Sequence, residues 1–207
     1  MSISIEFEAS GSYALFSDPV IGTSGGKCSL PVPTYETLKG LCCSIYRNPS
    51  FEWVIDAVRI MNPILTEAVS ISSKRTCGPR INCYLRDVRY QIKAHFVPLH
   101  SQRRFDPIEI LNITLRSIRK GGRRPLHLGT SECMCDVKLC CFGEGEGFFD
   151  SQSFDFGMMY HGLTYGSDQS ITARAFRCRM ENGVICFPAP HECIAVQTIC
   201  EGTNALA

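Results

Sequence analysis

The sequence predicts an α+β fold, in which two helices accompany a larger number of strands. Over the first two thirds of the chain, two segments with helical spacing of apolar residues alternate with β-rich segments in the order β-α-β-β-α-β. This order is typical of a ferredoxin-like domain. The last third contains only short β-rich segments, two of which flank an Asn-Gly turn. We therefore expect a ferredoxin-like domain at 1–125 and a small antiparallel β domain at 126–207.

Local patterns define the predicted elements of the first part. Residues 3–8 alternate apolar and polar side chains, as in a half-buried strand, and the Gly- and Pro-rich stretch 20–33 is a predicted loop. Thr34 is expected to cap a helix whose buried stripe has i, i+3, i+4 and i+7 spacing and consists of Leu38, Leu41, Cys42 and Ile45. Pro49 disfavours helical geometry at the residue before it, so this helix should end near 46–47.

Two longer strands, a second helix and a β-rich terminus follow. Residues 51–60 and 81–97 are rich in β-branched and aromatic side chains and are predicted strands. Residues 108–119 are a predicted helix, with apolar side chains at 108, 111, 115 and 118. The sequence GGRRP at 121–125 indicates a loop. Further strands are predicted at 154–160, 173–180 and 184–187, the last two joined by the hairpin turn Asn182-Gly183.

Composition excludes several classes of protein. The chain is 44% hydrophobic and 20% charged, which is typical of a globular protein. No apolar run approaches the roughly 20 residues that a membrane span needs, and the first residues alternate and include acids, unlike a signal peptide. We therefore expect a cytoplasmic protein without a membrane partner.

The 13 cysteines are unusual for such a protein. An odd number without a secretory signal argues against a closed disulfide framework. The densest group has CxC spacing at 133–135 and a CC step at 140–141, whereas zinc sites most often use CxxC pairs. We expect no metal and no cofactor, and the cysteines to be small buried apolar residues. A cysteine-based metal or redox protein remains the alternative.

Charge is distributed unevenly. The formal net charge is only +1, but 100–124 carries 7 basic against 2 acidic residues, whereas 125–207 carries 4 against 10. Arginine outnumbers lysine six to one in the basic segment. Its basic side chains are His100, Arg103, Arg104, Arg116, Arg119, Lys120, Arg123 and Arg124.

This basic segment has two interpretations. A run of charge is often only a solvated surface. Guanidinium groups, however, suit bidentate phosphate contacts and stacking on bases better than ammonium groups do. Gly121-Gly122 also allows a phosphate to approach the backbone, with its N–H groups as donors. The segment is therefore a candidate nucleic-acid interface.

The first predicted helix carries a second candidate site. At about 100° per residue, Tyr35, Lys39 and Tyr46 fall within roughly 40° of one another, away from the apolar stripe. The pattern predicts an exposed edge that combines phenol and ammonium groups. This edge is either an ordinary polar helix face with a tyrosine that packs its ring on a neighbour, or a place where a tyrosine stacks or transfers a proton beside a lysine that attracts phosphate.

A set of motifs resembles a known family over nearly the whole chain. In this order, the motifs resemble the CRISPR-associated family-five protein of subtype I-C, a member of the RAMP superfamily. They are GSYALFSDP (11–19), SLPVPT (29–34), KG (39–40), SIYRNP (44–49), MNPI (61–64), LRDVRY (85–90), PLHLG (125–129), DFGMMY (155–160) and FRCRMENGVI (176–185).

The resemblance implies both a fold and a function. It implies a ferredoxin-like domain with a small C-terminal β domain, and a subunit that holds the 5′ handle of CRISPR RNA beside the other subunits of a Cascade complex, which engages target DNA. It also implies metal-independent cleavage of precursor CRISPR RNA at the repeat hairpin. In that reaction a 2′-hydroxyl attacks the adjacent phosphate, so a base, an acid and a cationic stabiliser suffice.

Site residues carry over only in part. Tyr46 matches the family's tyrosine at the end of the first helix, but the family's Lys-His step ahead of the second helix is missing, and the region after Val69 also departs from the family. The candidate catalytic residues are Tyr46, His100 and Arg104. The candidate RNA-binding residues are Lys39, Arg47, Arg86, Arg103, Arg104, Arg116, Arg119, Lys120, Arg123 and Arg124. An RNA-binding Cascade subunit without nuclease activity remains the first alternative.

Overall fold

The computed structural model describes residues 4–17, 27–71, 80–99, 106–165 and 170–200. In this part of the chain, nine strands, two α-helices and a short 3₁₀ turn, Pro190–Glu192, follow one another. The helices are α1 (Tyr35–Ile45) and α2 (Pro107–Arg119). The strands are β1 (Ser4–Ala14), β2 (Phe51–Ile60), β3 (Leu65–Ile71), β4 (Arg80–Pro98), β5 (Asp136–Leu139), β6 (Phe154–Tyr165), β7 (Ser170–Glu181), β8 (Val184–Cys186) and β9 (Ile194–Cys200).

All nine strands belong to one sheet, and every strand pairing is antiparallel. The order is β5-β1-β4-β2-β8-β7-β6, with β3 paired to β4 and β9 paired to β7. The molecule is thus mostly antiparallel sheet with few helices. Strands β5 and β8, which follow residue 125, pair with β1 and β2, which precede it. Strand hydrogen bonds therefore join the two predicted domains. The division of the chain at that residue stays a prediction.

Helix α1 confirms the sequence prediction. The Thr34 hydroxyl accepts a hydrogen bond from the Thr37 N–H at 3.3 Å, and the predicted stripe of Leu38, Leu41, Cys42 and Ile45 is buried. Tyr46 already has extended backbone geometry (φ −157°, ψ 128°) and ends the helix. The buried face of α1 packs in the same core as Phe7 and Ile92 of the sheet.

Helix α2 begins where expected but buries a different face. Asp106 caps it by accepting from the N–H groups of Ile108 and Glu109 at 3.0 and 3.2 Å. The buried residues are Ile110, Thr114, Ser117 and Ile118, so only one member of the predicted stripe is buried, and Ile108 is 65% exposed. The apolar pattern was misleading because the buried Thr114 hydroxyl donates to the Ile110 carbonyl at 2.9 Å, which satisfies its polar group within the helix.

The strands at 51–60, 81–97, 154–160, 173–180 and 184–187 are confirmed, although β6 extends beyond the predicted end to Tyr165 and β7 begins earlier, at Ser170. Asn182 and Gly183 have positive φ of 50° and 76°, as the predicted hairpin turn between β7 and β8 requires. Strands β3, β5 and β9 were not predicted. Each lies beside a longer strand, and such edge strands depend on pairing with a distant partner more than on their own residues.

The face of the sheet opposite the helices is charged. Glu8 is buried and forms ion pairs with Arg89 and Lys138, both at 2.9 Å. Burial raises the pKa of this carboxyl, but hydrogen bonds from Arg89 and Lys138 outweigh burial and lower it overall. A loop also covers this face, since the N–H groups of Phe142 and Gly143 donate to Glu6 and Gln91. Within the described ranges, no helix is long and apolar enough to cross a membrane.

A buried histidine links α1 to the strands of the last third. The His161 ring stacks on Tyr35 with centroids 3.9 Å apart, and its Nε2 lies 3.1 Å from the Pro188 carbonyl oxygen. Burial lowers the pKa of His161 to about 4. The neutral ring is therefore the form that the fold accommodates.

This histidine is expected to make stability depend on pH. The folded pKa lies below the ordinary value of 6.5, so the unfolded chain binds the extra proton and stability falls as the pH drops from 6.5 towards 4. His161→Phe, which keeps an aromatic ring, should show a smaller loss of unfolding free energy between pH 7 and pH 5 in urea titrations. The exposed His191→Phe is the control. An equal loss in His161→Phe and the wild type would contradict this assignment.

Candidate nucleic-acid interface

The C-terminal ends of the two helices meet. The loop after α2 contacts the end of α1 at two points: the Arg124 N–H donates to the Ser44 carbonyl at 3.3 Å, and the Arg123 guanidinium carbon lies 4.5 Å from the centroid of the Tyr46 ring. Tertiary structure thereby joins the tyrosine and the basic segment, which the sequence places far apart.

Tyr46 occupies a firmly held position. Its N–H donates to the Cys42 carbonyl at 3.0 Å, its carbonyl accepts from the Trp53 indole N–H at 2.8 Å, and its ring packs on Phe51. Its hydroxyl oxygen accepts a hydrogen bond from the Asn48 side-chain amide at 3.2 Å. Asn48 was not identified from the sequence as a site residue, although it lies within the SIYRNP motif.

The predicted exposed edge of the first helix is wrong in one respect. Tyr35 and Tyr46 are both buried, with exposures of 2% and 6%, and only Lys39 is partly exposed. Tyr35 is covered by His161 of β6 and by Phe187, the residue after β8, and the helical geometry of α1 alone does not predict these distant contacts. Tyr46 lies beyond the helix, so the rotation of 100° per residue does not apply to it.

Basic side chains are exposed on the last turn of α2 and in the loop that follows it. Arg116, Arg119, Lys120, Arg123 and Arg124 are all exposed. Among the described residues, none of these five forms an ion pair with a carboxylate. We call these five residues the basic cluster. Because these cations have no carboxylate partner among the described residues, the charge of the basic cluster is available to an anionic partner.

The diglycine is a turn and not a phosphate cradle. Gly121 and Gly122 have positive φ of 78° and 95°, but their N–H groups donate to the Ile118 and Ser117 carbonyls, each at 2.9 Å. The expectation that these N–H groups are free for a phosphate is therefore wrong, because they satisfy the last carbonyls of α2. A side chain at Gly122 would also place its Cβ 2.9 Å from the side chain of Leu126.

Other predicted residues differ in their surroundings. Arg47 is exposed and directly follows Tyr46, whose ring contacts Arg123 of the basic cluster. Lys39 forms an ion pair with Glu52 at 2.5 Å, and the two line a cavity of about 600 Å³ with Arg47, Asn48 and Leu99. Arg86 lies on β4, where Asp87 at 2.9 Å and Glu67 at 3.7 Å compensate its charge. His100, Arg103 and Arg104 lie outside the described residues.

The expectation of buried cysteines holds only in part: among the described residues Cys42, Cys133 and Cys178 are buried like apolar side chains, whereas Cys28, Cys141 and Cys186 are exposed. Burial raises the pKa of Cys135 and of Cys178 to about 12, and the pKa of the fully buried Cys42 is raised as well. Such groups keep their protons at neutral pH, whereas a metal ligand or a nucleophile must be a thiolate.

Two solved structures resemble the chain over almost its entire length. One is described as a CRISPR-associated protein and has 32% sequence identity and a TM-score of 0.80, covering 95% of this chain and 97% of that chain. The other, a functionally uncharacterized protein from Streptococcus mutans, has 32% identity and a TM-score of 0.81, covering 95% and 98%. The fold is thus that of CRISPR-associated proteins.

Sequence comparison defines the family. A family model of the Cas5d type, described as CRISPR-associated protein (Cas_Cas5), matches residues 4–188. The chain therefore belongs to the Cas5d family of CRISPR-associated proteins. A curated relative from Mannheimia succiniciproducens, "CRISPR pre-crRNA endoribonuclease Cas5d", is 26% identical over 216 residues, which cover 86% of this chain and 92% of the relative.

Proposed function

We propose that this protein binds the repeat hairpin and 5′ handle of CRISPR RNA as a subunit of a Cascade complex of subtype I-C, and that it cuts the precursor RNA. The observation that carries this proposal is the contact between Arg123 of the unpaired basic cluster and Tyr46, in a chain whose curated relative is named a pre-crRNA endoribonuclease. A phenol beside several uncompensated cations suits a phosphodiester substrate.

The proposed cleavage needs no metal ion. The 2′-oxygen forms a bond to the adjacent phosphorus, and the bond from phosphorus to the 5′-oxygen of the next nucleotide breaks. The 2′-hydroxyl gives up its proton to a base, and the departing 5′-oxygen receives one from an acid. The products are a 2′,3′-cyclic phosphate and a 5′-hydroxyl. Tyr46 acts as the base or orients it, while His100 and Arg104 are proposed as its partners.

The RNA path follows the ends of both helices. We propose that the RNA contacts Lys39, Arg47, Arg103, Arg104 and the basic cluster, and that Arg86 on β4 makes a separate contact. Lys39 has to exchange its ion pair with Glu52 for a phosphate, so its contribution should be smaller than that of an unpaired arginine. Other Cascade subunits and target DNA are the remaining proposed partners.

We also propose a fold assignment. The order β5-β1-β4-β2, with α1 after β1, α2 after β4 and both helices contributing to the core on one side, corresponds to the 4-1-3-2 order of a ferredoxin-like domain. The strands β6–β9 then form the proposed small C-terminal β domain.

A second function is supported by one observation. The Tyr46 side chain is almost fully covered, and its phenol already accepts from Asn48. Together with the missing Lys-His step, this burial favours a subunit that binds CRISPR RNA without cutting it. The experiments below separate the two.

The basic cluster is expected to account for much of the affinity. Arg116→Ala/Arg119→Ala should weaken binding of repeat RNA at least ten-fold at moderate salt, since each lost phosphate contact removes about 0.7 from the slope of log K against log salt. Arg177→Ala/Arg179→Ala is the matched control, because both arginines are exposed on β7 but engage Asp155 at 2.8 and 3.2 Å. Filter binding over a salt series measures both quantities. Unchanged affinity and slope in the first variant would refute the RNA surface proposed here.

Cleavage is expected to persist in EDTA. The attacking group is supplied by the RNA itself, so chelation should leave the rate of precursor cleavage unchanged and the products should carry cyclic phosphate ends. Single-turnover assays with end-group analysis by mass spectrometry measure this. A strict requirement for a divalent ion, or 3′-hydroxyl ends, would exclude the proposed mechanism.

A further inference from the structure

Arg123 differs from the rest of the basic cluster because two other side chains hold its guanidinium. Its Nε donates to the Ser117 hydroxyl at 3.2 Å, and its guanidinium lies over the Tyr46 ring. The backbone N–H of the next residue, Arg124, donates to Ser44, and Gly122 before Arg123 has a left-handed conformation in which its N–H donates to Ser117. A guanidinium held from both sides in this way loses little further entropy when it binds an anion.

The free donors of this guanidinium are available to a substrate. Arginine has five N–H donors in a planar fork, and the bond to Ser117 uses the one on Nε. In the described ranges, the structure gives the two Nη groups of Arg123 no hydrogen-bond acceptor and no carboxylate partner. They can therefore donate in pairs to two oxygens of one phosphate.

We propose that Arg123 is a catalytic residue of the cleavage reaction, and that its guanidinium contacts the scissile phosphate while Tyr46 acts on the attacking 2′-hydroxyl. This inference rests on the proposed function. A phosphate close enough to be served by the Tyr46 phenol also lies within reach of the group that covers the Tyr46 ring.

The chemistry gives the guanidinium a defined task. As the bond from the 2′-oxygen to phosphorus forms and the bond to the 5′-oxygen breaks, negative charge accumulates on the two non-bridging oxygens. The proton released by the 2′-hydroxyl goes to the base, and the 5′-oxygen takes one from the acid, so Arg123 exchanges no proton. It stabilises the charge that is greatest in the transition state, which is the role of a cationic stabiliser.

The other basic residues are less suited to this role. Arg116 donates its Nε to the Asn112 carbonyl of its own helix at 3.3 Å. For Arg119, Lys120 and Arg124, the structure shows no side-chain contact with Tyr46 within the described part of the chain. These residues suit general attraction of the RNA backbone, whereas Arg123 is directed at one position.

Single-turnover cleavage of precursor RNA, transcribed from the source organism's own CRISPR array and measured at saturating protein, tests this inference. Arg123→Ala should cut about 10²–10³-fold more slowly than the wild type, with RNA affinity changed only a few-fold. Added guanidinium chloride, at concentrations far below those that unfold proteins, should restore at least ten-fold of the lost rate. Arg119→Ala is the matched control and should lose only a few-fold in rate, with no rescue.

Several results would overturn the inference. If the wild type cuts and Arg123→Ala cuts as fast as Arg119→Ala, the proposed function stands and the role of Arg123 falls. If Arg123→Ala is slow but guanidinium does not restore the rate, although circular dichroism shows a folded protein, the residue is structural. Arg123→Met, which keeps the packing on Tyr46, replaces the alanine variant if that variant unfolds. If the wild type binds the RNA but never cuts it, the endoribonuclease proposal and this inference fail together.

Discussion

Tyr46→Phe is expected to slow precursor cleavage by about 10²–10⁴-fold, which is the usual contribution of a general acid or base. RNA affinity should change only a few-fold, because the ring, its packing on Phe51 and its contact with Arg123 are retained. The lost atom is the hydroxyl oxygen that accepts from Asn48. Parallel measurements of single-turnover rate and equilibrium binding separate a chemical role from a structural one.

The matched control is Tyr13→Phe. The exposed Tyr13 hydroxyl donates to Glu67 at 3.2 Å. The variant therefore removes a phenol oxygen that lies away from the proposed site. It should cut at the rate of the wild type. If Tyr46→Phe also cuts at the rate of the wild type, the Tyr46 hydroxyl transfers no proton in the reaction. The subunit would then use other residues or another mechanism.

The second large effect concerns stability. Arg59→Met should lower the free energy of unfolding by about 1–3 kcal/mol, since it leaves the acceptors of a buried guanidinium without their donor. The Arg59 side chain is 6% exposed and donates to Asp150 at 2.7 Å and to the carbonyls of Glu144 and Gly145 at 3.2 and 2.9 Å. Together with Gln91, whose side-chain amide donates to the Glu144 carbonyl at 2.7 Å, Arg59 fastens the loop 144–150 to the charged face of the sheet.

Urea denaturation monitored by fluorescence measures this loss. Arg86→Met is the control, because Arg86 is exposed and its pairs with Asp87 and Glu67 lie in water, where such pairs contribute little to stability. The two variants remove the same charge and add the same side chain. A loss of similar size in both would mean that the Arg59 network contributes no more than a surface ion pair.

The charge distribution of the molecule has a simple relation to the proposed function. The five cations of the basic cluster are exposed and lack carboxylate partners in the described ranges, whereas arginines elsewhere, such as Arg59, Arg89 and Arg177, are paired with acids. A net charge of +1 therefore conceals one surface with uncompensated positive charge. Such a surface gains most when it binds a nucleic acid and releases counterions, because its cations need not first give up a carboxylate partner.

The sequence alone determined what depends on neighbouring residues. The cap at Thr34, the end of α1 before Pro49, the bounds of β2 and the hairpin turn at Asn182-Gly183 all follow from local geometry, and each was predicted correctly. The family was also accessible, because its motifs are short runs in a fixed order. The concentration of arginine in 100–124 required only counting.

Tertiary structure decided which of these residues meet. It buried Tyr35 under His161, turned Thr114 inwards and Ile108 outwards on α2, and used the N–H groups of the diglycine to end a helix. It also placed Arg123 on the ring of Tyr46. No local pattern contains these outcomes, because the burial and contacts of a side chain depend on elements that are distant in sequence and near only after the chain has folded.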